Sequence, residues 1–149
     1  MAQFLMKVNA TRCPAGVAQP TTPSDWNNGW FDLTCPTRRF HGPPPAAFDY
    51  CLIWVNELPR DRVLGEGLVA AAIIQAVRGN PEPEAIQIFS PQLFRSPPVN
   101  RHVIQQYEHR FGRGGTDHII IRAHYDRHRT LYHLTDSDFT ELLRPNEHL

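Results

Sequence analysis

The chain sets a few dense apolar runs among long polar stretches, and the spacing of those runs predicts its elements. FLMKV, Phe4 to Val8, reads as a first strand closed by Asn9. The strongest signal is a pair: FDYCLIWVNE, Phe48 to Glu57, then GLVAAAIIQAV, Gly67 to Val77, with the charged connector LPRDRVLGE between them. Two such runs across one polar turn predict adjacent antiparallel strands of a small barrel, the first carrying Trp54 and Asn56 outward at its end. The alanines of the second run would also suit a buried helix, but its branched residues and glycine border favour a strand. AIQIF, Ala85 to Phe89, alternates as a strand should. Asn100 opens a helix in which Val103, Tyr107 and Phe111 share one stripe, and Gly112, Gly114 and Gly115 end it. HIIIRAHY, the polar turn DRHR and TLYHL, together His118 to Leu134, predict a hairpin. Thr135 or Ser137 then caps a short last helix, DFTELL.

Between the first strand and the apolar pair lies a crossover from about residue 10 to 47, dense in Pro, Gly, Thr and Asn. Loops of this length are uncommon in compact domains unless they are functional, structured or disordered. Trp26, Trp30, Phe31 and Phe40 argue against disorder, which is poor in aromatics. The crossover is therefore expected to fold over the barrel.

At 149 residues the chain is expected to form one domain, residues 1–149. Its 15 Lys plus Arg balance 15 Asp plus Glu, so no global field draws it onto nucleic acid or anionic lipid. Any such binding must come from a local patch. Lys7 is the only lysine, and arginine is the better fork for phosphate, although this usage also fits a GC-rich genome. No signal peptide or membrane span is evident, which predicts a cytoplasmic protein without a membrane partner. Cys13, Cys35 and Cys51 are odd in number and lack CxxC spacing, so reduced thiols are expected, with Cys51 in the core. Zinc held by Cys13, Cys35, His41 and Cys51 fits on ligand type only.

The polar-ended first strand, the Trp-bearing crossover, YCLIWVN (Tyr50 to Asn56), GLVAAAII (Gly67 to Ile74) and LTDSDF (Leu134 to Phe139) together resemble the EVE branch of the PUA-like superfamily, related to YTH, ASCH and SRA domains. The match is one of pattern and order over most of the chain. It departs at Phe48-Asp49, where the family has Gly-Asp. The resemblance implies an α+β fold: a small, distorted PUA-like barrel with a few short flanking helices and an aromatic pocket that holds a flipped, modified base. Carried over by position, that role falls on Asn9, Trp26, Trp30 and Trp54, with Asn56 as edge reader. The plainer account of each tryptophan is that it packs a core or pins a loop.

A base reader also needs a grip on phosphate. Arg12, Arg38 and Arg39 flank the aromatic crossover, Arg95 follows Phe94, and Arg113 borders a glycine-rich turn. A non-enzymatic reader takes DNA or RNA as its partner, with a nuclease or restriction component as a further candidate, and calls for no cofactor. The competing chemistry is metal-dependent hydrolysis at the hairpin, where His124, His128 and His133 surround Asp126. Glu57, Asp61 and Glu66 are candidate acids for a nuclease, although charge in a connector is ordinary. The motifs GxSxG, GK[ST] and HExxH do not occur. The third class is a protein-interaction module.

Overall fold

The computed structural model describes residues 1–17, 20–33, 42–56, 67–79, 82–114, 118–126 and 130–145. Among them, six strands form one sheet: β1 (Gln3–Asn9), β2 (Trp30–Asp32), β3 (Tyr50–Asn56), β4 (Gly67–Arg78), β5 (Ala85–Leu93) and β6 (Leu131–His133), in the order β2-β5-β4-β3-β1-β6. Three helices join it: α1 (Arg101–Phe111), α2 (Ile119–Tyr125) and α3 (Asp136–Leu143). No helix among the described residues is long and apolar enough to cross a membrane.

The apolar pair forms the antiparallel β3 and β4 as expected, and β1 lies parallel to β3 in a register that brings Asn9 opposite Asn56. The ladders of β4 shift register against β3 and twice against β5. Such irregularities bend a strand and increase its twist, so the sheet curls. The curl brings its edges together: the Thr130 hydroxyl, just before β6, donates to the carbonyl of Leu33, just after β2, at 3.2 Å. The result is a distorted barrel.

Alternation along the strands divides the core in two. Phe4, Met6, Val8, Cys51, Ile53, Val55, Ile86 and Ile88 fill the interior of the curl, together with Trp26, Phe31 and Leu33 from the crossover. Leu5, Leu52, Trp54 and Leu68 face outward and are covered by Ile104 and Tyr107 of α1, Ile119 to Ile121 of α2 and Leu142 of α3. Burial pushes the thiols of Cys13 and Cys51 up to about 12, which keeps them protonated and inert. Both are free thiols in the interior cluster, and Cys35 and His41, the other members of the zinc set, lie outside the described residues.

The helix caps are those the sequence offers. The Asn100 side chain accepts from the amide of Val103 at 2.9 Å, and the Thr135 hydroxyl accepts from Asp138 at 3.1 Å. Gly67 has φ +152, and a Cβ there would lie 2.2 Å from the Val99 carbonyl oxygen, so only glycine lets β4 start against the segment leading to α1. Phe48, where the sequence resemblance expects glycine, has φ 73, a left-handed conformation that suits glycine better than phenylalanine.

The hairpin of residues 118–134 does not form. Residues 119–125 are helical, and β6 pairs with β1, not with its sequence neighbour. Three consecutive isoleucines favour a strand locally, but Ile119, Ile120, Ile121 and Ala123 are all buried under α1 and against the sheet. Tertiary burial overrides the local preference.

Candidate functional site

Asn9 and Asn56 end the two parallel central strands side by side. The Asn56 amide donates to the Asn9 side-chain oxygen at 3.4 Å, across a half-buried contact. Asn9 stands at the cap position of the 3-10 turn Ala10–Arg12 yet makes no side-chain cap. Its amide is instead turned to its neighbour. Once Asn56 donates to Asn9, the pair still offers the Asn9 amide hydrogens and the Asn56 oxygen: donors and an acceptor on adjacent strands. That array complements a flat ligand edge with an acceptor beside a donor, as on the pairing edge of a nucleobase.

Beneath the pair on the same face lie Trp54 and Lys7, which are partners in register. Trp54 is fully buried among Leu52, Leu68 and Tyr107. The expected outward Trp54 is thus corrected: the face it occupies is outward from the barrel, but helices cover it. Lys7 is 4% exposed, and its ammonium donates to the carbonyls of Ala123 and Asp126 at the end of α2. An ammonium there meets the negative end of the helix, which suits its charge.

The described part of the crossover packs against the barrel through Trp26, Phe31 and Leu33. A capping box between Thr22 and Asp25 sets the turn Pro23–Asp25, and the backbone amides of Thr22 and then Thr21 hold the Asp25 carboxyl below its usual range. Trp26 follows, fully buried, its indole donating to Val17 at 2.7 Å and its ring edge-on to Phe31 at 5.2 Å. Close packing of Gly29 against Pro14 closes the turn, since a Cβ at 29 would meet the Pro14 ring at 2.5 Å. Trp30 points outward from β2, half-buried, with the Arg78 guanidinium 4.4 Å from its ring centroid.

The three indoles do not converge. Trp26 lies inside the curl and Trp54 outside it under helices. Trp30 is on β2, three strands from β3 in either direction around the order. A pocket shared between Trp54 and either crossover tryptophan is therefore not what the structure builds. Of the residues carried over by resemblance, it brings together Asn9 and Asn56, with Trp54 buried two residues before Asn56 on the same strand face.

Of the candidate phosphate contacts, Arg12 is on the turn that leaves Asn9. Arg95 is exposed just past β5, where Phe94 donates to Val69, at the same barrel end as the Asn pair. Arg113 is exposed and paired with Glu108 at 3.0 Å, a contact that helps hold the Glu108 carboxyl below its usual range after the hydrogen bond from Tyr125. Arg38 and Arg39 lie outside the described residues, as do Glu57, Asp61, Glu66 and His128.

With a helix in place of the hairpin, two of the three histidines of the alternative, His124 and His133, lie on different elements. His124 lies on α2 on the outer side of the sheet, whereas His133 on β6 packs edge-on to the interior residue Phe4 at 5.3 Å. Among the described residues, no three His, Cys, Asp or Glu gather as a metal site. Lys7 is the residue that sequence reasoning passed over. Its signal was present: a lone lysine in an arginine-using chain, set inside the apolar run FLMKV.

No family model and no curated protein matches the chain. Among solved structures it resembles the human THYN1 protein, crystallised in complex with DNA containing 5-methylcytosine, with TM-score 0.50 and 11% identity over 96% of each chain. That likeness is one of fold: a curled six-stranded sheet with three helices, an α+β architecture.

Proposed function

We propose that this protein is an EVE-type nucleic-acid reader that holds an extrahelical, modified base against the Asn9 and Asn56 amides at the carboxyl ends of β1 and β3. The observation that carries the reading is the amide pair itself: two half-buried side chains bonded to each other, with a donor and an acceptor left for a ligand edge. Amides neither titrate nor attack, so this chemistry suits recognition. An extruded base exposes its pairing edge and both faces, and extrusion costs least where the base is already poorly paired or altered. The fold likeness adds support, because the THYN1 protein was crystallised with 5-methylcytosine DNA. On this reading the base is held without being transformed, the modification decides affinity, and any nuclease or restriction component is a separate partner.

The test is equilibrium binding to short duplexes carrying 5-methylcytosine or unmodified cytosine, with single-stranded DNA and RNA of the same sequence alongside. The wild type is expected to prefer the modified duplex. Asn9→Ala and Asn56→Ala should each weaken that binding by about 3- to 10-fold, the scale of one neutral hydrogen bond. Variants that bind like the wild type, or a wild type that binds none of these oligonucleotides, would overturn the reading.

A further inference from the structure

We propose that Lys7 is the positioning residue of this site, a buried clamp that sets the carboxyl end of α2 against the strand face that ends in Asn9 and Asn56. The inference rests on the base-reader assignment above and names what holds that site in shape. Lys7 is the only lysine in the chain and is nearly inaccessible, on a strand face it shares with Leu5 and opposite Trp54. Burying an ammonium is costly, and an apolar side chain of equal length would fill the same space without that cost. Packing alone therefore does not explain a charge here.

The contacts do. The ammonium donates to Ala123 and Asp126, the carbonyls that end α2, and the backbone amide of the same residue donates to Thr130 at 2.8 Å. One residue of β1 thus pins α2 where it ends and the chain where it enters β6, across separations of 116 and 119 residues for the side-chain bonds. Two residues along the same strand, on the same face and about 7 Å away, is Asn9. The clamp thus holds the α2 terminus over the strand face that ends in the amide pair. Arginine would not substitute: its planar fork is broader than the compact ammonium that two convergent carbonyls accept.

Because the chain has a single lysine, its side-chain signal can be watched alone. In protein labelled with nitrogen-15 lysine, the one ammonium resonance is expected to be protected from exchange and to shift when the 5-methylcytosine duplex binds. An exposed, freely exchanging lysine, or a resonance unmoved at saturation, would overturn the proposal. Lys7→Met should keep cooperative unfolding while its preference for the modified over the unmodified duplex falls about tenfold. Lys7→Arg should fail to restore that preference. A Met variant with wild-type preference refutes the positioning role, and if that variant does not fold, the resonance of the wild type still decides. Loss of binding in Asn9→Ala with an unmoved lysine signal would refute the clamp and leave the reader standing. Failure of every oligonucleotide to bind the wild type would remove both.

Discussion

Phe48 holds a backbone conformation that ordinarily favours glycine. Its φ of 73 is the left-handed conformation that a glycine adopts freely and that costs an L-residue about 1 to 2 kcal/mol. The turn is held around it by the Phe48 amide donating to Ile74 at 2.8 Å, and by the Asp49 carboxylate accepting from Ala2 at 3.0 Å and Ala46 at 2.9 Å. The side chain gives little back, being 67% exposed with one edge-on contact to Phe89 at 6.2 Å. Phe48→Ala loses that contact and keeps the strain. Phe48→Gly loses the contact and the strain, at the cost of a more flexible unfolded chain. The glycine variant should therefore be more stable than the alanine variant by about 1 kcal/mol, read as the difference in urea midpoints at equal slope. The opposite order would show that the turn does not take a left-handed residue at this position.

At the level of elements, legibility followed locality. The helix from Asn100 carried its cap and its apolar stripe in adjacent residues, and β3 and β4 announced themselves as apolar runs across a polar turn; all of these formed where the pattern put them. Asn100→Ala should accordingly cost about 1 kcal/mol and Asn100→Gly only a few tenths, because glycine tolerates the cap conformation without the side-chain bond. Equal losses in thermal or urea unfolding would mean that the cap conformation contributes nothing and that the bond to Val103, which both variants lack, accounts for the whole cost. By contrast, α2 was illegible because what makes it helical is remote: four buried residues leave no amphipathic period, and its carboxyl end is satisfied by a lysine of β1. The candidate site divides the same way. Asn9 and Asn56 are polar residues closing apolar strands and could be found by position, whereas the fates of Trp26, Trp30 and Trp54 depended on which face each strand turned inward. A tryptophan in a pattern says that a large ring is accommodated, not on which side of the sheet.

For the whole molecule, a formal net charge of zero means that attraction to a polyanion must come from the few cations placed near the site. Each phosphate neutralised on duplex DNA contributes about 0.9 to the negative slope of log affinity against log salt. A chain of this balance should show a slope worth only a few phosphates, well short of proteins that bind through a basic face. Its arginines are not equivalent in this respect. Arg95 is exposed at the barrel end that carries Asn9 and Asn56, so Arg95→Ala should flatten the slope by up to about one unit and weaken modified and unmodified duplexes alike. Arg113 is held by Glu108 at 3.0 Å, and its charge is already answered. Arg113→Ala should leave the slope within error of the wild type. The two variants, titrated against the 5-methylcytosine duplex across a range of salt, separate a localised grip from general attraction. Equal flattening by both would place the phosphate contacts over a wider surface than the end of the barrel, and the Asn9 and Asn56 amides would then no longer mark the centre of the interface.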